Sequence, residues 1–248
     1  PVSEFEATSR GTRGKASTRS QGEDAVKLFI GCNDHDTLLL FSDRGVSYAL
    51  PAYRVPQCSR TAKGTPVVQL LPIPREEAIT SLLAVSEFND DTDLLMLTQG
   101  GFIKRTHLSA FSNIRSNGLI AIGLEDGDAL TWVRLSVPGD SVLIGSKAGM
   151  TIHFRLSDDE LRPLGRTARG VRSMNLRAGD ELVSMDVLPV ELADQIAASS
   201  DDGNDEGTPA SEGPWVLVAS AAGLGKRVPV TQFRLQKRAG MGLRAMKF

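Results

Sequence analysis

Several residues that support common kinds of functional site are scarce in this chain. Its 248 residues include only two cysteines, three histidines and 5% aromatic residues. Cys32 and Cys58 are too few for a disulfide scaffold or a four-cysteine zinc site, so we predict that both are reduced and partly buried. His35, His107 and His153 are far apart and lack metal-binding spacing. We therefore predict no metal site, and the cysteine content predicts a cytoplasmic location.

The sequence also has little that would indicate a membrane span, a leader or a nucleotide site. No stretch approaches the roughly 18 apolar residues that cross a bilayer, and the first ten residues have no apolar segment typical of a signal peptide. The segment 223–226, Gly-Leu-Gly-Lys, is followed by Arg227, where a phosphate-binding loop needs serine or threonine. We therefore predict no cofactor in this domain.

Positive charge is abundant once one acidic segment is set aside. The chain has 28 Lys and Arg against 30 Asp and Glu, a net charge of −2. Residues 191–213 contain seven acidic residues and no Lys or Arg, so the rest of the chain has a net charge of +5. The low hydrophobicity of this segment and its Gly, Ser and Pro content from Ser199 onward predict a solvated insertion that packs against nothing. A short helical turn at 192–197 is expected at its start.

A repeated pattern organises the remainder of the chain. Residues 37–50, 93–106, 141–154 and 215–228 each contain two apolar runs separated by a short turn with a glycine. The turn glycines are Gly45, Gly101, Gly149 and Gly223. Glycine readily adopts the positive φ of a tight turn between two strands. Each segment is therefore predicted to be a β-hairpin.

A second element, with basic residues, a glycine and alternating apolar positions, follows each hairpin at a nearly constant distance. The copies lie at 59–71, 113–124, 165–176 and 237–248, and a fifth copy at 9–17 has no hairpin before it. Their glycines, Gly64, Gly118, Gly170 and Gly242, follow the hairpin glycines by 19, 17, 21 and 19 residues. In two copies an acidic glycine turn, at 125–128 or 177–180, and a further strand come next.

These units predict an all-β fold. About four short strands in roughly 50 residues are typical of one blade in a radial array. We therefore expect a single domain over residues 1–248, a β-pinwheel or propeller-like array of about five to six four-stranded blades. A β-sandwich or two separate barrels are the alternatives, although neither needs a periodic glycine.

The basic residues recur in register with the glycines, so we expect them on one side of every blade. Such a curved cationic belt suits the phosphates of bent duplex DNA, and the adjacent glycines would let the backbone approach those phosphates. The predicted DNA-contacting residues in the elements are Arg10, Arg13, Lys15, Arg60, Lys63, Arg115, Arg166, Arg169, Arg172, Lys237, Arg238 and Arg244. Those in the hairpins are Lys104, Arg105, Lys226 and Arg227.

Two other classes of function stay open. A propeller that binds a protein partner should expose apolar or aromatic side chains, whereas the recurring positions here are Arg, Lys, Gly and Ser. An enzyme with a site in a central channel needs convergent polar residues, which the repeats do not supply.

The motifs together resemble the C-terminal domain of the A subunit of DNA gyrase, a β-pinwheel. The resemblance rests on GGFIKRT followed by IRSNGLIAIGLEDGDAL, on GRTARGVRSMNLRAGDELV and on YRVPQCSRTAKGTPVVQLL. It is similar along nearly the whole chain. Residues 9–15, SRGTRGK, match a degenerate copy of the family's basic box, Gln-Arg-Arg-Gly-Gly-Lys-Gly. The degenerate box keeps the related subunit of topoisomerase IV as an alternative.

The resemblance implies a DNA-wrapping domain that is not an enzyme by itself. It implies that the domain bends DNA so that the rest of an ATP-dependent type II topoisomerase introduces negative supercoils. The catalytic tyrosine would then lie outside this chain, and ATP and Mg²⁺ would act elsewhere in the holoenzyme. The implied partners are double-stranded DNA, the N-terminal region of the gyrase A subunit, and the gyrase B subunit.

Overall fold

The protein is built from short antiparallel strands. A computed structural model describes residues 26–59, 62–200 and 214–247. The longer strands are β1 (Thr37–Ser42), β2 (Val46–Pro51), β3 (Ile79–Val85), β4 (Asp93–Thr98), β5 (Phe102–His107), β7 (Leu130–Ser136), β8 (Ser141–Ser146), β9 (Met150–Arg155), β11 (Leu182–Leu188), β12 (Trp215–Ala219) and β13 (Gly225–Pro229). The two-residue strands are β6 (Leu119–Ile120), β10 (Val171–Arg172) and β14 (Leu243–Arg244). The helices are α1 (Val67–Leu70), α2 (Asp158–Leu161) and α3 (Val190–Ser200), with 3-10 turns at Ala52–Arg54, Leu108–Phe111 and Val230–Gln232.

The strands form four sheets, and the predicted all-β fold is confirmed. Sheet A has the order β3-β1-β2-β6, sheet B β10-β5-β4-β7, sheet C β11-β8-β9-β14 and sheet D β12-β13. The four predicted hairpins are β1–β2, β4–β5, β8–β9 and β12–β13, and all four turn glycines have positive φ. The described residues therefore contain three four-stranded sheets and one two-stranded sheet, fewer than the five to six blades expected.

The basic elements at 113–124, 165–176 and 237–248 each add a strand to the preceding sheet, which differs from the predicted grouping. Strand β6 follows the second hairpin but pairs with β2 of the first, with Val46 opposite Ile120. In the same way, β10 pairs with β5 and β14 pairs with β9. The exchange covers the otherwise open edge of the preceding hairpin and ties consecutive sheets together, since open edges invite unwanted pairing.

In sheets A, B and C, the edge strand farthest from the exchanged strand packs against a neighbouring sheet. Strand β7 contacts both β3 and β11, so these three strands lie at the inner edges of sheets A, B and C. Apolar clusters fill the space between sheets, one around Phe41 and Met96 and another around Leu95 and Phe154. Because β4 is buried on both faces, its run DLLMLT is apolar instead of alternating. The two-residue strands β6, β10 and β14 consequently occupy the outer edges.

The core takes residues from the hairpins, from β3 and from the basic elements. Leu95, Ile122 and Met174 are buried, while Leu82 and Leu83 are half-buried and pack against core clusters. The burial of residues from both hairpins and basic elements follows from the exchanged strands, which close each sheet over its neighbour.

The acidic segment begins with the predicted helix, but that helix packs against the rest of the protein. Residues 191–200 belong to α3, where Ala193 and Ile196 are buried. The helix contacts the 3-10 turn at Val230–Gln232, and Asp194 forms an ion pair with Arg155 of β9. The prediction that this segment packs against nothing is therefore wrong for α3, because its apolar side enters the core. Residues 201–213 lie outside the described part of the chain.

The cysteines and histidines hold no recognisable chemical site. Cys32 and Cys58 are free, but both are exposed, so the prediction of partial burial is wrong. His153 is buried in β9, with Nδ1 2.7 Å from the Phe233 carbonyl and Nε2 2.8 Å from Ser141 Oγ, and burial lowers its pKa. Within the described residues, no group of three or more His, Cys, Asp or Glu could hold a metal. No helix in the same ranges is long and apolar enough to cross a membrane.

Candidate nucleic-acid interface

The basic elements lie at the outer edges of the sheets and dock there in the same way. We call the segments 113–124, 165–176 and 237–247 the outer elements. In each, the shortest hydrogen bond from a backbone N–H to the carbonyl of a hairpin glycine measures 2.8 to 2.9 Å. The donor and acceptor pairs are Ala121 to Gly45, Ser173 to Gly101 and Ala245 to Gly149. Equivalent basic positions therefore occupy equivalent places on sheets A, B and C.

Neighbouring outer elements are also bonded to one another. The N–H of Gly123 donates to the Ala168 carbonyl at 3.2 Å, which joins the outer elements of sheets A and B. The N–H of Ala239 donates to the Ser173 carbonyl at 2.7 Å, and that of Asn175 donates to the Gly240 carbonyl at 2.8 Å. These bonds make one continuous strip of backbone across three sheets.

The glycines of the outer elements are needed for packing against the hairpins. A Cβ on Gly170 would lie 2.4 Å from the Ile103 carbonyl oxygen, and one on Gly242 would lie 2.3 Å from that of Thr151. Gly118 has similarly little space, 2.7 Å from Val46. At these three positions the missing side chain makes room for a neighbouring strand, so the glycines have a packing role. The expected approach of the backbone to phosphates stays a prediction.

Most of the predicted cationic residues in the described ranges are accessible. Those that are exposed are Lys63, Arg115, Arg169, Arg172, Lys226, Arg227, Lys237 and Arg244, and those that are half-buried are Arg166 and Arg238. The outer elements supply seven of them, which we call the basic edge: Arg115, Arg166, Arg169, Arg172, Lys237, Arg238 and Arg244. Lys226 and Arg227 lie on β13, and Lys63 precedes α1. Arg10, Arg13, Lys15 and Arg60 lie outside the described residues.

The placement of Lys104 and Arg105 on the surface is wrong. Both are buried on β5, with exposures of 0% and 2%. Arg105 lies 3.3 Å from Asp93 and 2.5 Å from Asp158, and it donates to the Leu156 carbonyl at 2.9 Å. These partners compensate for the burial of the Arg105 charge. Because Leu156 and Asp158 follow β9, Arg105 also joins sheet B to the segment after β9. Neither residue can contact a phosphate in this arrangement.

One pair of arginines is held by an aromatic ring that the basic pattern did not single out. The guanidinium carbons of Arg169 and Arg172 lie 4.5 and 4.9 Å from the centre of the Phe102 ring. Stacking on a ring face restricts a guanidinium without using all of its N–H donors. Phe102 directly follows the hairpin glycine, where the equivalent residues are Val46 and Met150. The sequence signal for this arginine pair is the aromatic residue itself, at a position where the other two four-stranded sheets have Val46 and Met150.

Arg169 also forms an ion pair with an acidic residue of the same chain. Its Nη1 forms an ion pair with the carboxylate of Glu125, and both side chains are about half exposed. Any external anion that contacts Arg169 at this donor competes with Glu125. The pair is solvated, so its own contribution to stability is small.

An open cleft lies between the outer elements of sheets A and B. It has a volume of about 880 Å³ and is lined by Asn113, Arg115, Asn117, Arg166 and Thr167, among others. Arginine and amide side chains are typical donors to phosphate oxygens. The cleft therefore offers hydrogen-bond donors of the right type at the junction of two sheets.

Known proteins are similar in sequence to this chain along almost its whole length. The family model described as DNA gyrase C-terminal domain, beta-propeller, matches residues 1–26, 36–86, 92–136, 140–189 and 214–248. The A subunit of a DNA gyrase from Synechocystis sp. is 55% identical, over 100% of this chain and 30% of that protein. A chloroplastic/mitochondrial DNA gyrase A subunit from Arabidopsis thaliana is 43% identical, over 98% of this chain and 25% of that protein. The chain thus spans less than a third of the length of these relatives.

Solved structures have the same architecture. A DNA gyrase A C-terminal domain is 26% identical with a TM-score of 0.69, over 97% of this chain and 71% of that one. The C-terminal domain of a DNA topoisomerase IV is 24% identical with a TM-score of 0.68, over 85% and 58% of the two chains; this likeness shows the fold alone. Since the family model covers most of the sequence and the fold is similar to that of a solved DNA gyrase A C-terminal domain, this chain belongs to the DNA gyrase C-terminal domain, beta-propeller family.

Proposed function

We propose that this chain binds duplex DNA along the basic edge and wraps it around the outer edges of the sheets. The observation that carries the proposal is the continuity of the outer elements. Backbone hydrogen bonds join all three of them, and each presents exposed or half-exposed cationic side chains. A ligand that contacts one element therefore meets the next without leaving the basic surface, as an extended polyanion would.

Phosphate contacts would supply the affinity. Each phosphate that a cationic side chain neutralises releases counterions, so seven contacts predict a slope near −6 in log K against log[salt], at about −0.9 for each contact. Such contacts carry no base information, so binding should tolerate changes of sequence. Bending about 40 base pairs through half a circle costs on the order of 10 kcal/mol, more than a single basic patch offsets.

The relatives suggest the larger assembly. We place this chain as the wrapping part of a gyrase A subunit, in a holoenzyme where the B subunit is also present and where ATP and Mg²⁺ are used outside this domain to supercoil DNA negatively. The catalytic tyrosine then lies elsewhere in the holoenzyme. Topoisomerase IV is the less favoured alternative, because the named relatives are gyrase subunits. A cytoplasmic location stays a prediction.

The test is a binding titration of the 248-residue chain with linear duplexes of increasing length. We expect affinity to rise with length until the basic edge is fully covered and then to level off, with a steep loss between 50 and 200 mM salt. Duplexes of one length and unrelated sequences serve as the control and should bind equally. Affinity that does not depend on length would contradict wrapping, and a shallow salt slope would contradict the phosphate contacts.

Replacing Glu125 with glutamine is expected to strengthen DNA binding about two- to fivefold. The variant removes the carboxylate that competes with phosphate for Arg169, and it removes a negative charge from the basic edge. Glu181→Gln is the matched control. Glu181 also pairs with an exposed cation, Lys147 at 2.8 Å, but that pair is not part of the outer elements. Fluorescence anisotropy at 100 mM salt measures both variants, and an equal gain in the two would contradict this role of Glu125.

A further inference from the structure

A buried ammonium group lies directly beneath the junction of two outer elements. Lys104 Nζ donates to the Ala121 carbonyl at 2.5 Å, to the Gly165 carbonyl at 3.0 Å and to the Arg166 carbonyl. Ala121 belongs to the outer element of sheet A, whereas Gly165 and Arg166 belong to that of sheet B. All three N–H donors of the ammonium group are therefore used, and one side chain joins the two elements.

The fold itself does not require a charge at this position. Lys104 is the third residue after the hairpin glycine of sheet B, and the equivalent residues are Tyr48 in sheet A and Ile152 in sheet C. Ile152 is fully buried in an apolar cluster, and Tyr48 is buried and donates to Glu77 at 3.0 Å. A neutral residue thus fills the same place in both other complete sheets.

The surroundings of Lys104 disfavour its charged form. Burial, followed by repulsion from Arg166, lowers the pKa of Lys104 to about 7. Moving an ammonium group out of water is unfavourable unless its donors are satisfied, and three carbonyls are what satisfies them here. A buried lysine with this unfavourable environment is best explained by a need to hold two surface elements in a fixed relative position.

We propose that Lys104 is a positioning residue for the DNA interface, which holds the outer element carrying Arg166 against the one carrying Arg115. The inference rests on the proposed function. Both arginines line the cleft between sheets A and B. The link from Lys104 to the Arg166 carbonyl fixes the backbone from which that guanidinium extends. The Arg166 Nη1 donates to the Ala110 carbonyl at 3.3 Å, which further restricts its direction.

The first test is Lys104→Met, which keeps an unbranched apolar stem and removes the three donors. DNA affinity is measured for this variant and for the same change made in an Arg115→Gln, Arg166→Gln background. In the otherwise unchanged chain we expect a loss of about eightfold at 0.1 M salt, the value of roughly one phosphate contact. In the background without the two arginines we expect no further loss, because the two guanidinium groups that Lys104 positions in the cleft are then absent. Arg169 and Arg172 are held separately, on the Phe102 ring.

Equal losses in the two backgrounds would overturn the inference, because a lysine that acts only through its charge or through general stability gives additive effects. Lys147→Met is the matched control. It removes one lysine charge from an exposed site, with a side chain 68% accessible, outside the cleft, and should change affinity less than twofold. Urea denaturation of each variant confirms that the measured protein is folded.

A second variant disturbs the same junction without changing Lys104. A Cβ on Gly123 would lie 2.7 Å from the Thr167 carbonyl oxygen, so Gly123→Ala should push the two outer elements apart. We again expect a loss of affinity that disappears when Arg115 and Arg166 are absent. Unchanged affinity in Gly123→Ala would reject the inference. If the unmodified chain did not bind DNA at all, the proposed function itself would fail, and that outcome is distinct from additivity.

Discussion

Replacing Gly170 with alanine is expected to destabilise the chain by more than about 3 kcal/mol, the largest stability loss we predict for a change of one methyl group. Gly170 has a φ of +95°, and its Cβ would lie 2.4 Å from the backbone oxygen of Ile103. A left-handed backbone costs roughly 1–2 kcal/mol for a residue with a side chain. The contact with a central strand adds to that cost, because β5 is buried and cannot move aside.

Gly179→Ala is the matched control for this prediction. Gly179 has a similar φ of +79°, but a Cβ there would have no atom within 4 Å. Its loss should therefore be limited to the backbone cost of about 1–2 kcal/mol. Urea denaturation measures both variants. Equal losses would contradict our account, because they would mean that the approach of the outer element to β5 contributes nothing beyond φ.

The repeat in the sequence predicted the hairpins because their signals are local. A turn glycine between two apolar runs determines a pairing within about 15 residues, and the positions of Gly45 and Gly149 located two of the four hairpins directly. The partner of each outer element is not local. Strand β6 has only two residues, too short for any periodicity, and pairs with a hairpin more than 70 residues earlier. The sequence could not show which sheet it completes.

The wrong prediction that Lys104 and Arg105 lie on the surface has a related cause. Strand β5 lies between neighbouring sheets, so five of its six residues are buried and the usual alternation of buried and exposed positions is lost. The partners that make burial of Arg105 acceptable, such as Asp158 and the Leu156 carbonyl, lie more than 50 residues away. Since these partners are not visible in the local sequence, two adjacent basic residues after a glycine turn favour a surface position.

The recurrence of basic residues after each glycine predicts the interface, because it does not depend on which strands pair with one another. Arg172 and Arg244 each follow the glycine of an outer element by two residues, and the structure places both at the same position of a two-residue strand. The equivalent residue in sheet A is Ile120, which is exposed. The cationic pattern is thus continuous along the strip without being identical in every sheet, a variation that repeat counting alone did not reveal.

Replacing Arg166 and Arg169 together with glutamine is expected to weaken DNA binding roughly 60-fold at 0.1 M salt. Each lost phosphate contact lowers affinity about eightfold there, since its slope of about −0.9 extends over one decade of salt below 1 M. The slope itself should become shallower by about 2. Loss of the Arg169 cation also leaves the Glu125 carboxylate unpaired beside the DNA, which adds repulsion.

Charge placement, rather than net charge, must explain that loss. The control is the double variant Arg75→Gln, Arg134→Gln, which removes the same charge from the turn before β3 and from β7, at the inner edges of the sheets. We expect its affinity to fall less than threefold. Titrations with two duplexes of unrelated sequence should show equal losses for the Arg166 and Arg169 variant, because phosphate contacts carry no base information. A matching loss in the control would remove the basic edge as the binding surface, and a changed sequence preference would mean that these arginines read bases.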